Sequence, residues 1–169
     1  MITLAQLNAA DQAAFVAAVG DIFEHAPWVA ERAHAARPFA TVAALHDAMM
    51  QAVRAASRAE QLGFLRGHPE LAGKVARAGA MTPDSTAEQG GLGLDRLSDT
   101  DFARFERLNA AYAQKFGFPF IIAVRMHTKE GIFFEFERRL KNDTPTEFAN
   151  DLQNVYAITR LRLDKLLGD

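Results

Sequence analysis

Between residues 98 and 117 the large apolar residues keep one period. Phe102, Phe105, Leu108, Tyr112 and Phe116 recur at steps of three or four, which places them on one stripe of an α-helix and not on the alternating face of a strand. Ser98 suits an N-cap, and Asp99 and Asp101 suit a first turn beside the positive end of the helix dipole. Gly117 and Pro119 end the run. A stripe this apolar must be covered by other elements, so the rest of the chain has to supply matching faces.

It supplies more helices. Residues 1–66 read as several short helices punctuated by Pro27 and Pro38, with apolar residues at helical spacing over 41–56. Ser57 and Glu60 have the spacing of a capping box. A further helix is expected from about Thr128 to Lys141. The last begins at Thr144-Pro145-Thr146-Glu147, a capping-box pattern with proline in the first turn, and runs to about Leu167. With 169 residues, 49% of them hydrophobic and thirteen of them Phe, there is core enough for one domain and not two. The expected architecture is all-α, a single-domain bundle of short helices over 1–169, interrupted by an irregular polar segment at 68–95.

Composition excludes several functions. The net charge of -2 argues against a general electrostatic grip on nucleic acid, which needs a basic face. The longest basic cluster, Arg138-Arg139-Leu140-Lys141, reads as a solvated last turn of a helix. There is no cysteine, hence no disulfide, thiolate metal site or cysteine nucleophile. His25, His34, His46 and His127 show no paired ligand spacing, so no metal site is expected. No apolar run reaches membrane-spanning length, no secretory leader pattern opens the chain, and Leu167-Gly168-Asp169 is not a peroxisomal address. The expectation is a cytoplasmic protein that engages neither membrane nor nucleic acid.

Chemistry-bearing residues gather where helical periodicity stops. His68 precedes Pro69, which fits the first turn of a short helix and leaves His68 near its N-cap; it either caps and packs there or serves as an acid or base near neutral pH. Ser85, Glu88 and Gln89 fall within five residues. Ser85 and Glu88 either start a helix as a capping box or meet a ligand bearing N–H groups. Gly-x-Ser-x-Gly is absent, and Gly90, Gly91 and Gly93 lack the context of a phosphate loop.

Two further features stand outside this cluster. On the last helix Phe148, Leu152, Val155, Thr159, Arg162 and Leu166 follow at steps of three or four. At about 100° per residue Arg162 lies roughly 20° from Val155, on the buried stripe. A buried guanidinium needs a partner, either an internal carboxylate or an anionic ligand that its fork can clamp. The run Phe118-Pro119-Phe120-Ile121-Ile122-Ala123-Val124 is expected to be extended, because proline biases its predecessor away from helix. Without a strand partner its N–H groups need other acceptors, and a ligand is one candidate.

Taken in order, His68-Pro69-Glu70-Leu71-Ala72-Gly73-Lys74, Ser85-x-x-Glu88-Gln89 with Gly93-Leu94, Asn109-x-x-Tyr112-x-x-Lys115-Phe116-Gly117-Phe118-Pro119-Phe120, and Leu161-Arg162-Leu163 resemble OHCU decarboxylase, the 2-oxo-4-hydroxy-4-carboxy-5-ureidoimidazoline decarboxylase family of urate breakdown. The resemblance covers essentially the whole chain. It implies an all-α fold and a cofactor-free reaction that turns a small ureidoimidazoline carboxylate into (S)-allantoin and carbon dioxide. It implies catalytic roles for His68, Glu88 and Arg162. It also implies ligand contacts at Pro69, Ser85 and Gln89 and along Phe120, Ile122 and Ala123, and a homodimer as the assembly. The rival reading is a non-catalytic helical module that binds ureides or a partner protein; it would keep the bundle but show no turnover.

Overall fold

The computed structural model describes residues 2–73, 79 and 81–168. Among these residues the regular structure is all helical, with no strand, and no helix is long and apolar enough to cross a membrane. The chain divides into two compact units, Met1–Gly67 with Tyr156–Asp169, and His68–Val155.

The first unit begins with five helices: α1 (Leu4–Ala9), α2 (Gln12–Val19), α3 (Pro27–Ala33), α4 (Val42–Ala55) and α5 (Arg58–Arg66). Their starts are written in the sequence. Thr3 and Gln6 close a capping box on α1, Asp11 caps α2, Thr41 caps α4, Pro27 opens α3, and the expected Ser57–Glu60 capping box opens α5. Such caps matter because helices this short are marginal alone. The core is built from Leu7, Phe15, Phe23, Val29, Leu45, Met49, Val53 and Leu65, with Leu163 from the last helix, all buried.

In the second unit α6 (Pro83–Gly91), α7 (Asp99–Phe116) and α8 (Lys129–Arg139) precede α9 (Thr144–Leu167), whose C-terminal part belongs to the first unit. Helix α7 follows the sequence reading: Ser98 accepts from the Asp101 amide, and Gly117 ends it at φ 80°. The 68–95 stretch differs, because α6 forms inside it. Thr82, not Ser85, is the N-cap, and Pro83 takes the first turn, so Ser85 sits within the helix and is buried. The start of α9 also differs. Asp143 accepts from the Thr146 amide at 2.8 Å, which frees Glu147 to turn inward.

Phe105, Tyr112, Phe116, Phe118, Phe120, Phe133 and Phe136 fill this core. The Phe120 and Phe136 rings stack 3.8 Å apart, with Tyr112 edge-on to Phe120 at 5.3 Å. Each fully buried Phe contributes on the order of 2 kcal/mol. Arg139 corrects the expectation of a solvated helix end. It is 2% exposed and donates to Glu147 at 2.8 Å, to Asp151 at 2.7 Å and to the Ile121 carbonyl at 2.8 Å. Tyr112 donates to Glu147 at 2.6 Å. Burial and the Asp151 charge push the Tyr112 hydroxyl far above its ordinary range, so it serves as a donor.

Candidate active site

Helix α5 stops at Gly67, whose amide still bonds back to Gly63 and Phe64. His68 follows, 8% exposed. Pro69 starts no helix directly: 69–70 are irregular and Leu71–Ala72 make a turn. His68 is therefore not an N-cap of a helix opened at Pro69. Lys74, the last residue of the first motif, lies outside the described residues.

The turn is fixed by two side chains that come from other motifs. Ala72 sits in the left-handed region at φ 50°, which a non-glycine residue adopts only when held there. Its amide donates to Gln89 Oε1 at 2.9 Å, and the Leu71 carbonyl accepts from Asn109 Nδ2 at 2.8 Å. All four residues are buried. The Ala72 bond also fixes the Gln89 amide: with Oε1 facing a donor, Nε2 is left to donate elsewhere. Three motif blocks, at 68–74, 85–89 and 109, are thus joined directly.

Ser85 and Gln89 share one buried face of α6, as their spacing of four requires. Glu88 is partly exposed. It lines a cavity of about 310 Å³ with Leu92, Val124, Arg125 and His127. Arg125 and His127 were not singled out in the sequence. They follow the apolar 118–124 run and carry no spacing signal.

The 118–123 segment is neither helix nor strand. Two of its N–H groups are met by side chains of α9 and not by a ligand. Ile121 donates to Asp151 Oδ1 and Ala123 to Asn154 Oδ1, both at 3.0 Å. The Ala123 carbonyl accepts from Met126 at 2.9 Å, so both backbone groups of Ala123 are engaged. Phe120 and Ile122, 1% and 4% exposed, have no such acceptor for their amides among the described residues.

Arg162 lies in the first unit, whereas His68, Pro69, Ser85, Glu88, Gln89, Phe120, Ile122 and Ala123 lie in the second. Its predicted burial holds. Of the two partners left open, the structure contains the carboxylate: Arg162 Nη2 donates to Glu24 Oε1 at 2.7 Å and Nη1 to the Ile22 carbonyl at 3.2 Å. Glu24 sits at φ 55°, directly after the 3-10 turn Gly20–Phe23. Sequence reading missed Glu24, since a lone acidic residue in a short connection gives no periodic signal. It missed Asp151 and Asn154 for a different reason: both lie on a long helix where spacing alone reads as packing, while Asn109 stood in the third motif without a role.

The OHCU decarboxylase family model matches residues 8–164. A 2-oxo-4-hydroxy-4-carboxy-5-ureidoimidazoline decarboxylase of Haloferax volcanii is 45% identical over 162 residues, 96% of this chain and 94% of that protein. A crystal structure of (S)-allantoin synthase superposes with a TM-score of 0.77 at 28% identity, covering 99% of this chain and 54% of that one. The chain thus spans about half the length of that structure. A crystal structure of OHCU decarboxylase in the presence of (S)-allantoin superposes at 0.68 with 20% identity, over 95% of this chain and 100% of the other; this likeness concerns the fold alone.

Proposed function

The chain belongs to the OHCU decarboxylase family, and on that premise we propose that it decarboxylates 2-oxo-4-hydroxy-4-carboxy-5-ureidoimidazoline stereoselectively to (S)-allantoin and carbon dioxide. All of 1–169 acts as one catalytic domain, without a cofactor, in the cytoplasm and as a homodimer. The single observation that supports this most is the pair of bonds Ala72–Gln89 and Leu71–Asn109. They fix the turn after His68 with residues from two other family motifs, as a preorganised site requires.

The chemistry explains why side chains suffice. When the ring carbon–carboxyl bond breaks, its electron pair moves toward the adjacent imine, whose nitrogen takes a proton. The neighbouring hydroxyl loses its proton as the carbonyl forms, and a proton is added to one face of the ureido-bearing carbon. His68 handles the hydroxyl proton, with an imidazole suited by type to gain and lose protons near neutral pH. Glu88 and the Gln89 amide hold the ureido group, and Ser85 and Pro69 pack beside it. The Phe120 and Ile122 amides donate to a substrate oxygen, while Ala123 contributes its methyl group. Arg162 orients the substrate's oxygens, with Glu24 balancing its charge. A hold on the departing carboxylate that was equally strong before and during bond breaking would not raise the rate, so the part assigned to Arg162 is orientation.

The test is carbon dioxide release from substrate generated in the cuvette by urate oxidase and hydroxyisourate hydrolase. Release well above the spontaneous rate is expected. Unaccelerated release from folded protein would reject the proposal and favour the ureide-binding module.

A further inference from the structure

Helix α9 sets which amides of the 118–123 segment are free. Ile121 is clamped on both sides: its amide donates to Asp151 Oδ1 at 3.0 Å, and its carbonyl accepts from Arg139 Nη1 at 2.8 Å. Two residues on, the Ala123 amide donates to Asn154 Oδ1 at 3.0 Å. The Asn154 amide is oriented in turn, because its Nδ2 donates to the Asn150 carbonyl one turn back at 3.0 Å. Oδ1 therefore faces Ala123. Asp151 and Asn154 are three positions apart on one helical face, matching two alternate residues of a non-helical segment. The amides of Ile121 and Ala123 are held by α9, and those of Phe120 and Ile122 are the alternate pair that α9 does not hold. These two are buried and take no acceptor among the described residues, a costly state unless something fills it.

We infer that Asp151 and Asn154 are positioning residues, which pin the alternate amides of Ile121 and Ala123 to α9 and thereby present the Phe120 and Ile122 amides as a paired donor site for a ligand oxygen. This rests on the proposed function for the identity of the ligand, and not for the geometry. Neither side chain need touch the substrate.

The variant to make is Asn154→Leu, which keeps the shape and removes the acceptor, beside Asn154→Asp, which keeps an acceptor oxygen. In steady-state turnover, Asn154→Leu should raise KM about tenfold with kcat within about twofold, and Asn154→Asp should recover most of the loss. A purely structural role would lower the active fraction, so kcat would fall at unchanged KM; that result overturns the inference, as does an unaltered Asn154→Leu. A second readout does not depend on turnover. Titration with (S)-allantoin should shift the Phe120 and Ile122 amide resonances in the native protein and much less in Asn154→Leu. Shifts without turnover would remove the proposed function and leave the positioning role. Absence of these shifts in the native protein would overturn the positioning role even with turnover intact.

Discussion

Arg139 Nη2 donates to Asp151 Oδ1 across 2.7 Å, and the same oxygen accepts the Ile121 amide at 3.0 Å. One carboxylate oxygen thus joins the C-terminal end of α8, helix α9 and the apolar segment proposed to meet the substrate. With Glu147 and Tyr112 the pair forms a buried polar cluster inside a core of Phe rings. Such clusters are costly when broken, because each remaining charge loses its partner.

Arg139→Met tests that cost. It leaves Glu147 and Asp151 buried without their cation, and by the usual magnitude for a broken buried pair it should destabilise the protein by about 3–5 kcal/mol. The midpoint of urea unfolding reads this directly. A change below about 1 kcal/mol would mean that the cluster is not desolvated in solution.

Two buried groups should give the stability curve opposing slopes with pH. Burial, opposed by Arg139 and the Ile121 amide, pushes the Asp151 carboxyl up to about 7. Its folded value lies above the unfolded one, so stability it contributes in acid is lost as pH rises from about 4 toward 7. Asp151→Asn should flatten that loss, so the variant gains on the native protein between pH 4.5 and 7 in urea titrations. A pH-independent difference would contradict this.

His46 acts in the other direction. His46 Nε2 and Thr159 Oγ1 share a buried hydrogen bond of 2.8 Å, and the same hydroxyl reaches the Tyr156 carbonyl at 3.3 Å. Burial first, then the nearby Arg160 charge, lowers the His46 pKa to about 4. A folded value below the unfolded one means that stability present above about pH 6.5 is lost as pH falls toward 4. His46→Phe keeps the packing on Tyr156, whose ring centroid is 4.4 Å away, and should remove this loss. Unchanged acid sensitivity would contradict the assignment.

Asn109→Leu isolates the turn after His68. The Leu71 carbonyl would lose its 2.8 Å donor while the helix keeps an apolar residue of similar size. The expected cost is about 1–3 kcal/mol of stability, with kcat/KM down on the order of tenfold as His68 loses its fixed position. Full activity in a destabilised variant would show that the turn does not need this anchor.

Most of the fold was legible because helical periodicity and caps are local signals. The stripe on α7, its Ser98 and Gly117 ends and the Ser57–Glu60 box all stand as the sequence has them. Helix α6 was half legible: a helix start at Ser85 and Glu88 was one of two readings, but the nine residues Pro-Asp-Ser-Thr-Ala-Glu-Gln-Gly-Gly carry no apolar stripe, and the cap is Thr82, followed by Pro83. The inward Arg139 was legible in principle. It stands three residues after Phe136 and seven after Ile132, the same logic that placed Arg162 on a buried face, but its charged neighbours made the cluster look solvated. Glu24 and Asn154 could not be read at all, since their importance comes from contacts 138 and 31 residues away in sequence.

Stereoselective decarboxylation with His68 handling a proton is the proposal that everything else depends on. Circular dichroism where allantoin is optically active tests both parts at once, with substrate generated in the cuvette and the native protein compared with folded His68→Ala. Rapid growth of an (S)-allantoin signal is expected with the native protein, and a slow, near-racemic product with the variant. A racemic, unaccelerated product from the native protein, or a fully active His68→Ala, would contradict it.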